Sequence, residues 1–101
     1  NMILGPSGQN IYPEEIEATV NNQPYVIESV VIDRGPRLVA LAYMDAEKAK
    51  TDGVDLEAYK VQLMNEVNKS MPAYSKINIV EYMEQPFEKT PKMSIKRFMY
   101  S

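Results

Sequence analysis

The residues best equipped for chemistry stand near the two ends of the sequence. After Glu88, the last of the fourteen acids, the chain carries Lys89, Lys92, Lys96 and Arg97 and no further carboxylate. Lys92, Ser94 and Lys96 recur at every second position. In an extended segment such residues lie on one side, and in a helix they diverge. Ammonium groups placed there would offset negative charge developing on a phosphate. A basic end on a chain of net charge -3 suggests that it meets something anionic; a solvated charged end is the plain alternative. Near the start, Gly5-Pro6-Ser7-Gly8 is a turn run. A glycine there either permits the turn or, having no Cβ, lets a thin ligand pass close to the main chain.

What is missing narrows the chemistry further. The sequence has no histidine and no cysteine. Ser-His and Cys-His nucleophiles, disulfides and thiolate metal sites are therefore excluded, and the commonest general base is absent. This argues against a self-contained hydrolase, and no metal ligand set is expected.

The elements that must position these residues can be read from periodicity. The chain of 101 residues is one domain, with 45% hydrophobic and 25% charged residues, as in a globular protein. Pro13, followed by Glu14, Glu15 and Glu17, is ordinary helix-start chemistry; no catalytic role is assigned to these residues. Ile16, Thr19 and Val20 share a face, and Asn21-Asn22 before Pro24 ends the helix. Tyr25 to Ile32 and Leu38 to Met44 read as strands joined through the turn Asp33-Arg34-Gly35-Pro36. Both are apolar on nearly both faces, which predicts a central sheet covered by helices. Asp45 to Lys50 is a short helix-prone piece. Asp55 caps a helix from Leu56 to about Lys69, whose stripe Leu56, Tyr59, Leu63 and Val67 predicts core packing. Ile77 to Tyr82 is a third strand, and the proline-bearing stretch 84–91 is a loop. Ser94 is expected to cap a final short helix with Ile95, Phe98 and Met99 on one face. Met2-Ile3-Leu4 reads as a short strand with little before it to pair with. Tyr74 and Lys76 look like exposed positions in a loop, where packing at the edge of the sheet is favoured over a ligand contact. The whole is an α+β domain in two layers, a central β-hairpin plus a further strand packed against helices. The longest apolar run, Leu38 to Met44, is too short to span a bilayer.

Three segments, in order, resemble the acyl-adenylate-forming superfamily, which includes acyl-CoA synthetases, peptide-synthetase adenylation domains and luciferases. Gly8-Gln9-Asn10-Ile11-Tyr12-Pro13-Glu14-Glu15-Ile16-Glu17 is similar to the family's entry into its C-terminal domain. Met71-Pro72-Ala73-Tyr74 resembles its Leu-Pro-x-Tyr element. Glu88-Lys89-Thr90-Pro91-Lys92-Met93-Ser94-Ile95-Lys96-Arg97 resembles its last motif, Lys-Thr-Pro-x-x-Lys-Ile-x-Arg. The stretch Met2 to Gly8 and the ending Ile95-Lys96-Arg97-Phe98 look most like bacterial long-chain fatty acid–CoA ligases.

The resemblance implies that residues 1–101 are the C-terminal lid of a longer ligase, with the hinge and the large N-terminal domain outside this sequence. Such an enzyme joins a fatty acid to CoA through an acyl-adenylate, with ATP and Mg. The metal site is expected in the large domain, and this chain alone is expected to be inactive. The lid presents one face for adenylation and another for thioester formation. Gly8, with Gln9 and Asn10, would line the pantetheine channel. Ser94 falls where the family has its adenylation lysine, so Lys96 and Lys92 are the candidate substitutes. The expected setting is cytoplasmic, with peripheral membrane attachment of the longer enzyme left open, and the chain is expected to be a monomer without nucleic-acid partners. Two alternatives stay open. One is a degenerate family member with an interaction or regulatory role, for which the serine at 94 speaks. The other is a small nucleic-acid-binding module, against which the net acidity speaks.

Overall fold

A computed structural model describes residues 1–101. Strand β1 (Ile3–Leu4) turns back through Gly5–Gly8 and pairs antiparallel with β2 (Asn10–Ile11), Ile3 opposite Ile11. The partner of β1 thus comes after the turn and not before the strand. Helix α1 (Pro13–Asn21) follows with proline at its first position. Strands β3 (Val26–Arg34) and β4 (Arg37–Met44) form the expected antiparallel hairpin, closed by the pair Arg34 and Arg37. Helix α2 (Ala46–Asp52) is capped by Asp45, which accepts from the Lys48 N–H at 3.0 Å, and ends on Gly53 at φ 73°. Helix α3 (Leu56–Asn68) is capped by Asp55, which accepts from the Glu57 N–H at 3.0 Å. A 3₁₀ turn, Ala73–Ser75, leads to β5 (Ile79–Met83). The sheet order is β3-β4-β5, and β5 runs parallel to β4 because α2 and α3 carry the chain across.

The two faces of the sheet are covered differently. Val31, Leu38, Ala40, Ala42 and Met44 pack against Ile16 and Val20 of α1 and Tyr59, Leu63 and Val67 of α3. Val30, Ile32, Val39 and Leu41 alternate to the opposite face. No helix covers that side, so the sheet and its helices form the expected two layers. Phe87, fully buried, and the half-buried Ile95 and Tyr100 of the C-terminal segment lie there instead. Pro86 and Pro91 deny this segment a regular helix, yet its apolar side chains still seal the strands. The Phe87 ring meets Tyr100 edge-on, with centroids 5.0 Å apart.

Tyr59 ties the helix layer to the loop before β3. Its hydroxyl donates to the Pro24 carbonyl at 2.9 Å, and its ring packs edge-on to Tyr25. Burial pushes the Tyr59 phenol above its ordinary value of 10.0. The stability this confers is complete below the unfolded value and is lost as pH rises through the higher folded one. Thermal melts are expected to hold steady below that value and to fall in more alkaline buffer, with a smaller alkaline drop in Tyr59→Phe.

Candidate functional site

The basic end forms a tight hairpin rather than a helix. The Thr90 N–H donates to the Ser94 carbonyl at 2.8 Å, the Met93 N–H to the Thr90 carbonyl at 2.9 Å, and the Lys96 N–H to the Glu88 carbonyl at 2.8 Å. Lys89 stands opposite Ile95 in the bridge between the two arms. Pro91 suits the first central position of the turn, where its ring presets φ. Ser94 caps nothing: its N–H donates to the Thr90 hydroxyl at 3.2 Å, and only a 3₁₀ turn, Arg97–Met99, follows. Phe98 and Met99 are 77% and 52% exposed, so they share no buried face with Ile95. Packing of Ile95 against the sheet outweighs the local capping preference of serine. Met93 closes the turn at φ 67°, in the left-handed region. Met93→Gly is expected to stabilise the chain by about 1 kcal/mol, read from its denaturant midpoint.

The extended arm sorts the bases. Side chains alternate along it, so Ser94 and Lys96 project to one side and Ile95 to the other. Lys89 turns inward, and its ammonium bonds Glu28 at 3.0 Å and the Phe87 carbonyl at 3.2 Å. Arg97 forms a two-pronged pair with Glu17, its Nη1 donating to Oε2 at 2.7 Å. This hydrogen bonding holds the Arg97 guanidinium above its ordinary range. Glu17 also accepts from the Val31 N–H at 2.7 Å and is only 6% exposed. It is thus no mere helix-start acid, which the sequence alone did not reveal. Lys92, on the turn, and Lys96, on the arm, take part in no salt bridge. They are the two lysines of this hairpin without a carboxylate partner.

The turn near the N-terminus borders a cleft of about 710 Å³ that shares no residue with the hairpin. The Gly5 N–H donates to the Gln9 carbonyl at 2.7 Å, and the Gly8 N–H to the Gly5 carbonyl at 3.0 Å. Gly8 adopts φ 86°, and a Cβ there would meet nothing of this chain within 4 Å. Its glycine is therefore required by backbone conformation, with open space outside. Of the three residues expected to line a channel, Gln9 borders the cleft, while Gly8 and Asn10 are exposed beside it. The Gln9 Oε1 is buried without a donor. Across the cleft stand Tyr74 and Lys76, both exposed, as their loop setting led one to expect. The cleft thus offers a phenol and an ammonium beside the N-terminal turn, assembled from segments far apart in sequence.

No group of three or more Asp or Glu side chains is placed to hold a metal ion, so these residues do not fit a resident Mg. No helix is long and apolar enough to cross a membrane.

The AMP-binding enzyme C-terminal domain family matches residues 1–100. No curated protein matches the chain. Among solved structures, a Mycobacterium tuberculosis fatty acyl CoA synthetase superposes with a TM-score of 0.72 at 24% identity, over 97% of this chain and 18% of that one. An anthranilate CoA ligase in complex with anthranoyl-AMP gives 0.79 at 24% identity, over 97% and 18%. An O-succinylbenzoate coenzyme A synthetase from Bacillus subtilis gives 0.71 at 17% identity, over 98% and 18%. The chain therefore spans about a fifth of the length of these structures. At such identities the likeness establishes the α+β fold.

Proposed function

We propose, from the premise that this chain belongs to the AMP-binding enzyme C-terminal domain family, that residues 1–101 form the lid of a longer ATP-dependent acid–CoA ligase. In the first half-reaction a carboxylate oxygen attacks the α-phosphorus of ATP and pyrophosphate leaves. In the second, the CoA thiol loses its proton, its sulfur attacks the acyl carbonyl, and AMP departs. Both steps gather negative charge on phosphate oxygens, which a nearby cation stabilises.

The observation that carries this reading is the extended arm of the terminal hairpin, where Lys96 shares a side with Ser94. A lysine two positions on can therefore serve the direction in which a residue at 94 points, and its flexible four-carbon stem absorbs the offset. Lys96 is accordingly the adenylation cation in this proposal, and Lys92 the weaker candidate. Gly8, Gln9 and Asn10 form the second face, where the pantetheine arm of CoA passes. The cleft beside them supports this, since the exposed Lys76 ammonium on its rim fits a phosphate. Magnesium, where used, belongs to the large domain. The acid is proposed to be a long-chain fatty acid, on the resemblance of the Met2 to Gly8 and Ile95 to Phe98 stretches; the solved relatives named above carry differing acids in their names.

The test is the longer enzyme, supplied with ATP, CoA and a series of carboxylic acids. Acid-dependent pyrophosphate release followed by thioester formation is expected, greatest with long alkyl chains. Absence of both products with every acid sinks the ligase reading. Gly8→Ala is expected to destabilise the chain by about 1 kcal/mol through its positive φ. It is also expected to slow thioester formation by about tenfold, more than it slows adenylation, when the two halves are timed separately.

A further inference from the structure

We infer that Glu17, acting through Arg97, is a positioning residue that fixes where Lys96 stands, an inference that rests on the adenylation role proposed above for that lysine. Lys96 is bound through its main chain on both sides. Its N–H donates to the Glu88 carbonyl at 2.8 Å, and its carbonyl accepts from the Met99 N–H at 3.1 Å. These are bonds within the terminal segment and do not attach it to the body of the domain. Lys89 and the Phe87 N–H tie the start of the segment to Glu28, and Ile95 packs on the sheet; the polar tie beside Lys96 comes from the next residue, Arg97, whose planar fork engages both oxygens of Glu17.

Glu17 is itself immobilised. It lies on α1, is nearly fully buried, and its Oε2 also accepts from the Val31 N–H in β3. One carboxylate thus joins helix, sheet and terminal segment across a separation of 80 residues. A bidentate guanidinium–carboxylate pair fixes orientation as well as distance, which a single ammonium contact does not.

Stability alone gives a poor account of the pair. A buried ion pair commonly contributes little net stability compared with apolar packing of the same volume. The segment already has apolar anchors in Phe87, Ile95 and Tyr100. A cation that acts by placement does need a fixed main-chain origin, because small displacements cost catalysis heavily. Glu17 and Arg97 supply that origin and touch no reacting atom.

Three variants test this: Arg97→Met, Arg97→Lys and Glu17→Gln. In this chain, amide hydrogen exchange at Thr90 and Lys96 is expected to quicken by about tenfold or more in Arg97→Met and Glu17→Gln, beyond any quickening of the β4 amides that a general loss of stability causes. Arg97→Lys is expected to fall between these and the wild type. Unchanged exchange at Thr90 and Lys96 in Arg97→Met overturns the inference. Should Glu17→Gln unfold, Arg97→Met still decides, since that side chain is a quarter exposed and lies on the rim. In the longer enzyme, Arg97→Met is expected to lower kcat for adenylate formation by about 10- to 100-fold, with little change in the KM for ATP. Thioester formation from supplied acyl-adenylate is expected to change far less. Equal losses in both halves overturn a positioning role in favour of a merely structural one. A wild-type enzyme that makes no acyl-adenylate sinks the ligase reading instead, and the exchange measurement then decides alone whether Glu17 and Arg97 hold Lys96.

Discussion

In the longer enzyme, Lys96→Ala is expected to slow acyl-adenylate formation by about 100- to 1,000-fold, the usual loss when one placed donor to a developing charge is removed. Thioester formation from supplied acyl-adenylate is expected to survive, because a different face of the lid serves that step in the proposed mechanism. Lys92→Ala is expected to cost far less. Lys92 sits on the exposed turn, whereas Lys96 leaves a hydrogen-bonded arm on the same side as Ser94. Pyrophosphate release under single-turnover conditions separates the two variants. Ser94→Lys completes the set. Little gain from it, together with the loss in Lys96→Ala, supports Lys96 as the working cation. A large gain, with Lys96→Ala and Lys92→Ala both harmless, supports the reading of a chain that has lost its catalytic cation.

Phe87→Ala is expected to cost about 3–5 kcal/mol, within the range for truncating a buried aromatic. The ring is almost completely buried and is the one fully buried side chain that the terminal segment contributes to the second face of the sheet. Its loss removes packing from Val30, Ile32, Val39 and Leu41 and the edge-on contact with Tyr100. Domains of this size have only about 5–15 kcal/mol to lose. A large fall in the urea midpoint at nearly constant slope is the expected signature. A change below about 1 kcal/mol would mean that the segment barely covers the sheet.

Much of this architecture was legible in the residue order. The stripe Leu56, Tyr59, Leu63 and Val67 announced α3, and Asp55 announced its start, because helical spacing and capping are local signals. The strands of the hairpin were recognisable from their β-branched runs, and the chain does form an α+β domain. The pairing of β1 with β2 was hidden because two-residue strands have no periodicity to detect. The terminal helix was misread because Ser94 is a good local cap, while the competing attraction of Ile95 for the sheet is tertiary. Glu17 looked like any acid in a first helical turn; its partner lies 80 residues away. The cleft could not be foreseen either, since Gln9, Tyr74 and Lys76 meet only after folding. The order of the motifs was thus readable, while the side each lysine faces was not.

Because Phe87, Ile95 and Tyr100 close the far face of the sheet, a ribosome finishes β3 and β4 well before it makes their cover. Until then the nascent chain bears Val30, Ile32, Val39 and Leu41 as a bare greasy surface, the kind that chaperones grip and neighbouring copies stick to. Premature release of the polypeptide between β5 and Phe87 would leave that surface permanently open, and such a product should be found in inclusion bodies.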